Sequence, residues 1–239
     1  MATTDKPDSI FEIVNVGNGG LAFLDDYERH PKGTFKAIID RTTQTTEAGR
    51  RPLWEGYAKV KDYARNTTGT RSAKQVSTRP RGGGFFSWLV QQRKPETVVE
   101  FGTAFGVSGM YWLHGIEAVG HGHLMTYEPN TDWAGFASEN LASMSDRFTL
   151  TNGTFEENAA RTLKEGTVGI AFIDAIHTSE FVNAQYKILR PYLAENAIVL
   201  FDDIHFSDEM RACWEDDIVK RPEIKASAQL GTRVGIALV

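Results

Sequence analysis

The sequence predicts an α/β fold: a doubly wound, mostly parallel sheet with an antiparallel C-terminal strand. From Thr97 onward, short apolar runs alternate with longer segments of helical periodicity, which is typical of a parallel sheet covered on both faces. The chain ends in two β-rich runs, IKASAQL and RVGIALV, separated by a short turn. This pair predicts a hairpin, so the last strand should run antiparallel to the others.

Strands and helices are predicted to alternate through this region. Five strands are expected, at Thr97–Phe101, His123–Glu128, Arg147–Thr151, Val168–Ala175 and Ala197–Asp202. Helices are expected near 107–118, 132–145, 156–164, 179–193 and 207–219. Ligands of open parallel sheets bind beyond the carboxyl ends of the strands, so the residues that follow each strand are the candidates for a functional site.

The first 80 residues are expected to form a mainly helical extension, ahead of one α/β domain at 81–239. Apolar residues between Leu53 and Ala64 fit one face of a helix, and FFSWLVQQRK predicts a second helix that ends at Pro95. The polar segment NTTGTRSAKQVSTRPRGGG between them is expected to be flexible. We expect the extension to lie over the mouth of the sheet as a substrate lid.

Composition argues against several classes of protein. A net charge of −5 gives no support to nucleic-acid binding, and no run approaches the ~18 apolar residues of a membrane span. The N-terminal MATTDKPDSI has no signal-peptide pattern. The single cysteine, Cys213, cannot form an internal disulfide and suits a reducing compartment. The sequence therefore predicts a cytoplasmic protein in which Cys213 packs within a helix.

Two features of the N-terminal part leave alternatives open. The stretch from Lys59 to Lys94 contains nine Lys or Arg residues and one acid, Asp62. It could be a solvated basic face, or a wall that attracts an anionic substrate or partner. Aromatic residues of this part could cover a substrate or form a homodimer interface; they are Trp54, Tyr57, Tyr63, Phe85, Phe86 and Trp88.

A glycine loop follows the first predicted strand. In TVVEFGTAFGVSGMYW, Gly102 and Gly106 mark a tight turn, and Ser108 opens the next helix. Glycines let the backbone approach a ligand closely, and the free N–H groups of the first helical turn point at it. Glu100 is poorly matched to a pyrophosphate and suits a ligand with an amino group.

The next two strand ends suit the remainder of a nucleoside. Glu128 ends the second strand about 20 residues beyond the loop, where an acid commonly pairs with ribose hydroxyls. Taken alone, it could equally be an ordinary solvated acid. In TLTNGTFEEN, the turn that contains Gly153 and Thr154 could lie along the edge of an adenine, with Phe155 packed nearby. It could equally be a plain loop.

The last two parallel strands end in carboxylates. Asp174, in AFIDAIH, lies at the end of one predicted strand. Asp202 and Asp203, adjacent in VLFDDIH, lie at the end of the next. Adjacent strand ends lie about 5 Å apart, so the three acids could converge. Without an obvious Arg partner in the sequence they would repel one another, and a divalent cation would relieve this, most naturally Mg²⁺, with Mn²⁺ or Ca²⁺ as alternatives. The alternative is that Asp174 contacts a cofactor or caps a helix, while Asp202 and Asp203 accept hydrogen bonds from backbone N–H groups of the loop.

Two histidines accompany these acids. His177 lies three residues after Asp174 and could act as general base, metal ligand or neutral structural donor. His205 follows the acid pair and is expected to support the site or contact the substrate.

The motifs EFGTAFGVS, YEPN, FIDAIH and LFDDIHFS, in this order and spacing, resemble class I S-adenosylmethionine-dependent methyltransferases. Within that class they are similar to small-molecule O-methyltransferases of the catechol type. The resemblance covers roughly residues 80–239 and implies a Rossmann-like, seven-stranded sheet. It implies that the methionine part of the cofactor is surrounded by Glu100, Gly102, Gly106 and Ser108, that the ribose lies at Glu128 beside Pro129, and that the 152–155 turn faces the adenine.

The metal-dependent branch of this family binds Mg²⁺ through an aspartate at the position of Asp174 and an Asp-Asn pair at the positions of Asp202 and Asp203. A lysine at the position of His177 takes the substrate proton. This chain departs from the pattern twice, with Asp203 in place of the asparagine and His177 in place of the lysine. The first change adds charge, and the second lowers the reference pKa of the base.

The sequence therefore predicts methyl transfer from S-adenosylmethionine to a hydroxyl of a small molecule, such as a phenol or a secondary metabolite. Mg²⁺ is expected to assist, and His177 and Asp174 are the predicted catalytic residues. A metal-independent O-, N- or C-methyltransferase is the main alternative. A nicotinamide dehydrogenase is disfavoured by the absence of G-x-G-x-x-G, and a non-catalytic binding module by the acids and histidines at successive strand ends.

Overall fold

The computed structural model describes residues 11–15, 20–59 and 69–239. Its strands are β1 (Phe11–Asn15), β2 (Arg51–Pro52), β3 (Thr70–Arg71), β4 (Thr97–Phe101), β5 (His123–Tyr127), β6 (Phe148–Thr151), β7 (Val168–Ile173), β8 (Leu193–Phe201), β9 (Ala226–Leu230) and β10 (Val234–Leu238). Its α-helices are α1 (Lys36–Glu47), α2 (Ala73–Val76), α3 (Pro80–Arg93), α4 (Val107–Val119), α5 (Thr131–Ala142), α6 (Phe155–Thr162), α7 (Ser179–Leu189) and α8 (Asp208–Ala212).

The main sheet confirms the predicted architecture. Its strand order is β1-β9-β10-β8-β7-β4-β5-β6, and the five strands from β8 to β6 run parallel. The β9–β10 hairpin places β10 antiparallel against β8. These seven strands match the expected mixed sheet, and β1 adds an eighth strand antiparallel to β9. The short β2–β3 pair forms a separate sheet.

Apolar side chains cover both faces of the parallel strands, as their nearly continuous apolar runs require. On one face, α3 and α4 pack through Phe86, which stacks on Trp112 with ring centroids 4.3 Å apart. A Cβ on Gly115 of α4 would lie 2.6 Å from the carbonyl oxygen of Ser87, so this glycine allows the two helices to approach closely. On the other face, Trp214 packs against the sheet.

Several element boundaries differ from the prediction for local reasons. Helix α7 ends at Leu189 and gives way to a 3₁₀ turn at Arg190–Tyr192, since Pro191 cannot donate to a continuing helix. The helix expected near 207–219 is α8 followed by a π-helical turn at Cys213–Ile218. Cys213 is buried in that turn, in agreement with a packing role. The fifth predicted strand begins four residues earlier, at Leu193.

The N-terminal extension is only partly as expected. The segment predicted to be flexible contains α2 and the first turn of α3, because Ser72 begins α2 through a capping interaction with Gln75 and Pro80 begins α3. The helix predicted from Leu53 is a 3₁₀ turn at Glu55–Lys59, and its remainder lies outside the described residues. The assignment of this extension as a separate substrate lid stays a prediction.

The aromatic residues of α3 belong to the core. Phe85, Phe86 and Trp88 are at most 7 % exposed, so the expectation that they cover a substrate or form a dimer interface is wrong. Tyr63 and the predicted signal-free N-terminus lie outside the described residues. Within the part of the chain that is described, no helix combines the length and apolar character needed to cross a bilayer.

Candidate active site

A cavity of about 540 Å³ lies at the carboxyl ends of the parallel strands. Its floor and one wall come from the loops that follow β4, β5, β7 and β8, as the topology requires. The opposite wall comes from the N-terminal extension. Six of the predicted site residues line it: Gly102, Ser108, Glu128, Asp174, His177 and Asp203.

The glycine loop between β4 and α4 has the conformation that its sequence predicts. Gly102 has a φ of +86°, and a Cβ at this position would lie 2.1 Å from the backbone oxygen of Asp174. Gly106 has a φ of +81° and is the N-cap of α4. Both positions therefore require glycine. Gly106 lies behind the loop, whereas the backbone of residues 102–105 and Ser108 reach the cavity.

Glu100 lies below this loop and is fully buried. Its carboxylate accepts hydrogen bonds from Trp112 Nε1 at 3.1 Å and from Thr126 Oγ1 at 3.0 Å. Burial raises the pKa of Glu100 to about 7, against the lowering effect of hydrogen bonds from Ser108, Thr126 and Trp112. Glu100 thus supports the loop from inside the protein, and its contact with the amino group of a ligand stays a prediction.

Glu128 follows β5 and lies where the cavity wall meets the glycine loop. Its Oε2 accepts the backbone N–H of Ala104 at 2.7 Å, and its Oε1 accepts that of Asn130 at 2.8 Å. Burial raises the pKa of Glu128 to about 7, partly offset by these two hydrogen bonds. Repulsion from Glu100 adds to the increase. Both oxygens are held rigidly, and each retains lone pairs for a further donor.

A cleft of about 60 Å³ adjoins the cavity on the side of α6. It contains three further predicted cofactor residues, Pro129, Thr154 and Phe155. Tyr57, Gly102, Glu128 and Ala175 line both spaces, so the cleft continues the cavity. Gly153 lies outside both. Phe155 stacks on Phe101 with ring centroids 3.8 Å apart and thereby fixes the start of α6.

The sheet brings the predicted acids together, because the ends of β4, β7 and β8 lie side by side. The backbone N–H of Asp174 donates to the carbonyl of Phe101 at 3.1 Å. In the same way the N–H of Asp202 donates to the carbonyl of Ile173 at 3.0 Å. Asp203 follows directly, with a left-handed φ of +50° that turns the chain out of β8.

His177 joins these acids across the cavity. Its Nε2 lies 3.7 Å from Asp174 Oδ1 and 3.6 Å from Asp203 Oδ2. Burial and repulsion from Asp202 raise the pKa of Asp174 well above its ordinary value. The same two causes raise the pKa of Asp203, while His177 and an arginine lower it. The cluster thus combines an imidazole with carboxyl groups that resist ionisation.

That arginine is Arg233, in the turn of the β9–β10 hairpin. Its Nε and Nη2 bind the two oxygens of Asp202 at 3.0 and 2.7 Å, and Nε also lies 3.2 Å from Asp203 Oδ1. Asp202 is 3 % exposed and lies beneath the cavity, whereas the Arg233 side chain is 53 % exposed and lines it. The expectation that the acids lack an arginine partner is therefore wrong.

A divalent metal does not fit this cluster as it stands. Candidate donor atoms of Asp174, His177 and Asp202 do lie within 4.8 Å of one another. However, both oxygens of Asp202 and one of Asp203 face the Arg233 guanidinium. Mg²⁺ demands near-ideal octahedral oxygen geometry, and here it would have to share these ligands with a fixed positive charge.

His205 is exposed and does not line the cavity, so the structure gives no support to its predicted substrate contact. The neighbouring Phe206 does line it, is 62 % exposed, and has its ring centroid 5.5 Å from that of His177. Phe206 lies within the motif LFDDIHFS, but a lone aromatic residue in a loop does not by itself predict a contact with a substrate.

The N-terminal extension supplies the remaining wall. It contributes Leu53, Tyr57, Arg71, Ala73, Gln75, Val76 and Ser77 to the cavity. Arg71 belongs to the basic stretch of the sequence, which therefore places one cation at the cavity. The basic residues of this stretch between positions 60 and 68 lie outside the described part. Phe105 and Trp133 stack near this wall with centroids 4.9 Å apart. This wall thus combines apolar and aromatic side chains with the polar Arg71, Gln75 and Ser77.

Residues 99–204 match the family model described as "Methyltransferase domain". This range includes the glycine loop, Glu128, Asp174, His177 and the acid pair at Asp202 and Asp203.

Among solved structures, the chain is similar to cofactor-bound Rv0187 from MTB, at 20% identity and a TM-score of 0.62 over 91% of this chain and 94% of that one. It is similar to an O-methyltransferase from Bacillus cereus in complex with S-adenosylhomocysteine, at 17% identity and a TM-score of 0.59 over 91% and 96%. It is also similar to the O-methyltransferase TomG from Streptomyces achromogenes in complex with S-adenosylmethionine, at 13% identity and a TM-score of 0.60 over 93% and 96%. These likenesses show the fold.

An uncharacterised protein (y4gI) from Sinorhizobium fredii is 28% identical over 149 residues. The match covers 56% of this chain and 16% of that protein, so the chain spans only a small part of the length of this relative.

Proposed function

We propose that the protein is an S-adenosylmethionine-dependent methyltransferase that methylates a hydroxyl of a small molecule, since residues 99–204 match a methyltransferase-domain model and the fold is that of an O-methyltransferase. One observation carries the proposal. The groups suited to a nucleoside, Gly102 and Glu128, and the groups suited to proton transfer, Asp174 and His177, line the same cavity.

The residues present fit S-adenosylmethionine. Gly102 lets the loop lie close against the backbone of Asp174, where a Cβ would clash, and residues 102–105 line the cavity, where they can contact the methionine part. Glu128 has both oxygens fixed by backbone amides and can accept the ribose hydroxyls. The cleft beside Phe155 is assigned to the adenine. When bound, S-adenosylmethionine supplies a methyl group that its sulfonium has already activated.

The protein then has to orient an acceptor oxygen in line with the carbon–sulfur bond and take its proton. We assign the proton to His177, whose ring lines the cavity and is partly exposed. Oxygens of Asp174 and Asp203 lie 3.6–3.7 Å from Nε2 and face the imidazolium that forms. The oxygen–methyl bond forms as the carbon–sulfur bond breaks, and the proton stays on His177.

The acceptor is assigned to the space between His177 and the apolar wall. Phe206, Tyr57 and Val76 line this part, which suits a planar molecule such as a phenol or an aromatic secondary metabolite. The Mg²⁺ assistance predicted from the sequence is not part of the proposed mechanism, because Arg233 holds the oxygens that the metal would need.

The proposal is tested with a panel of phenolic and aliphatic hydroxyl compounds and isotope-labelled S-adenosylmethionine, with the products read by mass spectrometry. For a compound that is methylated, His177→Ala should lower kcat by about 100-fold or more, as expected for loss of a general base. His205→Ala is the matched control, since this histidine is exposed and does not line the cavity.

Binding of S-adenosylhomocysteine, measured by isothermal titration, should remain within about twofold of wild type in both variants, because neither residue contacts the assigned nucleoside site. Equal turnover in wild type and His177→Ala would remove the assigned base. Methylation on nitrogen or carbon only would contradict the assignment of a hydroxyl acceptor.

A further inference from the structure

The acid cluster at the ends of β7 and β8 has a cation of its own. Arg233 reaches it from the β9–β10 turn, 31 residues beyond Asp202 along the chain. Its Nε and Nη2 bind Asp202 as a two-point fork, and the same Nε lies 3.2 Å from Asp203. A planar guanidinium matches a carboxylate in this way with both charge and direction, which a flexible ammonium cannot do.

The backbone fixes the position of this arginine. The carbonyl of Arg233 accepts the N–H of Ile204 at 3.0 Å, so the hairpin turn is tied to the loop that carries Asp202 and Asp203. Within that loop, Phe206 N–H donates to the carbonyl of Asp203 at 2.8 Å and closes the turn. The side chains of Arg233 and Asp203 therefore come from two segments held in register by main-chain hydrogen bonds, which makes their pairing a property of the fold.

The pairing has two consequences for charge. Asp202 is almost fully buried, so its carboxylate needs a partner, and Arg233 supplies one. About half of the Arg233 side chain remains exposed in the cavity. Among the described residues no hydrogen bond is formed by its Nη1, so a residue that lines the cavity keeps N–H donors available.

We propose that Arg233 is the resident cation of the active site and takes the place that a divalent metal would otherwise hold. It neutralises Asp202, lies beside Asp203, and presents an N–H donor to the acceptor oxygen as that oxygen loses its proton to His177. This role rests on the proposed methyl transfer, but the exclusion of metal that it implies can be tested without turnover. Methyl transfer by the wild-type protein then requires no added metal and survives chelation by EDTA.

The decisive experiment is a Mn²⁺ titration followed by electron paramagnetic resonance, on metal-stripped protein. Wild type should bind no Mn²⁺ at the cluster, whereas Arg233→Ala should bind one ion per chain. Adding Asp174→Asn to Arg233→Ala should abolish that binding. Arg211→Ala is the matched control: Arg211 also pairs with an aspartate, Asp208, but on the surface, and its loss should create no Mn²⁺ site.

Arg233→Lys keeps the charge while losing the two-point fork and should still exclude Mn²⁺. A thermal melt of each variant checks folding, and Mn²⁺ binding at the cluster by wild type or by a folded Arg233→Lys would contradict the proposal even if Arg233→Ala fails to fold. In turnover assays, wild type should be unchanged by EDTA, and Arg233→Ala should lose at least about tenfold in kcat while retaining its affinity for S-adenosylhomocysteine.

Stoichiometric Mn²⁺ binding by wild type that Asp174→Asn removes would overturn the proposal, since arginine and metal would then share the cluster. A folded Arg233→Ala that binds no Mn²⁺ would overturn it as well, because Arg233 would not be what excludes the ion. Absence of turnover in all variants would instead count against the proposed function and leave the metal-binding result to stand by itself.

Discussion

Replacing Glu128 by glutamine tests the nucleoside side of the cavity. The two oxygens of Glu128 accept hydrogen bonds from the backbone N–H groups of Ala104 and Asn130 at 2.7 and 2.8 Å. A glutamine has one oxygen and one NH₂ group, so one backbone N–H loses its acceptor and the ribose loses a charged one. A hydrogen bond to a charged group contributes about 1.5–3 kcal/mol. We therefore expect Glu128→Gln to bind S-adenosylhomocysteine about 10–150-fold more weakly.

Isothermal titration at pH 8 measures this, with Glu139→Gln as control because Glu139 is exposed on α5. The pH dependence of the affinity for S-adenosylhomocysteine tests the same role of Glu128. In the proposed complex Glu128 accepts ribose hydroxyls as the carboxylate, and burial raises the pKa of Glu128 to about 7. Wild-type affinity should thus fall by up to about tenfold per pH unit below 7, while Glu128→Gln stays flatter. Unchanged affinity in Glu128→Gln would refute the assignment of the ribose to this carboxylate.

Two further predictions concern stability, measured by thermal or urea unfolding. Gly102→Ala should destabilise the protein by at least about 1–2 kcal/mol, because φ is +86° and the new Cβ would meet the backbone of Asp174; Gly135→Ala, in open space on α5, should be neutral or stabilising. Burial raises the pKa of Glu100 in the folded protein to about 7, above its unfolded value. As the pH rises from about 4.5 to 7, the carboxyl group ionises in the unfolded chain but stays largely protonated in the folded protein, so the free energy of unfolding should fall by up to about 3 kcal/mol. Glu100→Gln should flatten this pH dependence, and equal slopes in wild type and variant would contradict the burial argument.

Most of the fold could be predicted because its signals are local. Apolar runs of strand length, helical periodicity and the positions of glycines each report on a few neighbouring residues, and they located the five parallel strands and the C-terminal hairpin. The glycine loop was predictable for the same reason, since Gly102 and Gly106 have backbone conformations that other residues rarely adopt.

Arg233 shows what local patterns cannot give. It lies 31 residues after Asp202, and only the antiparallel pairing of β10 with β8 brings the two together. A charge in a hairpin turn looks like any solvated arginine until the register of the sheet is known. The prediction of Mg²⁺ depended on the absence of such a partner, and it weakens once Arg233 is in place.

Glu100 shows a second limit. The sequence predicts that Glu100 lies near the end of a strand, but it does not show to which face of the sheet the side chain points. In the structure it faces α4 and accepts a hydrogen bond from Trp112, one helix away in the core. The sequence also did not predict the N-terminal wall of the cavity, because Arg71 and Val76 belong to a segment whose polar composition predicts a flexible loop.

The central claim is that the space between Gly102 and Glu128 receives S-adenosylmethionine. Titration of S-adenosylhomocysteine into the wild-type protein tests it most directly, because it needs no knowledge of the acceptor. We predict saturable heat with one molecule bound per chain and a rise in the melting temperature at saturation. Neither heat nor a thermal shift, at any ligand concentration up to the solubility limit, would contradict it.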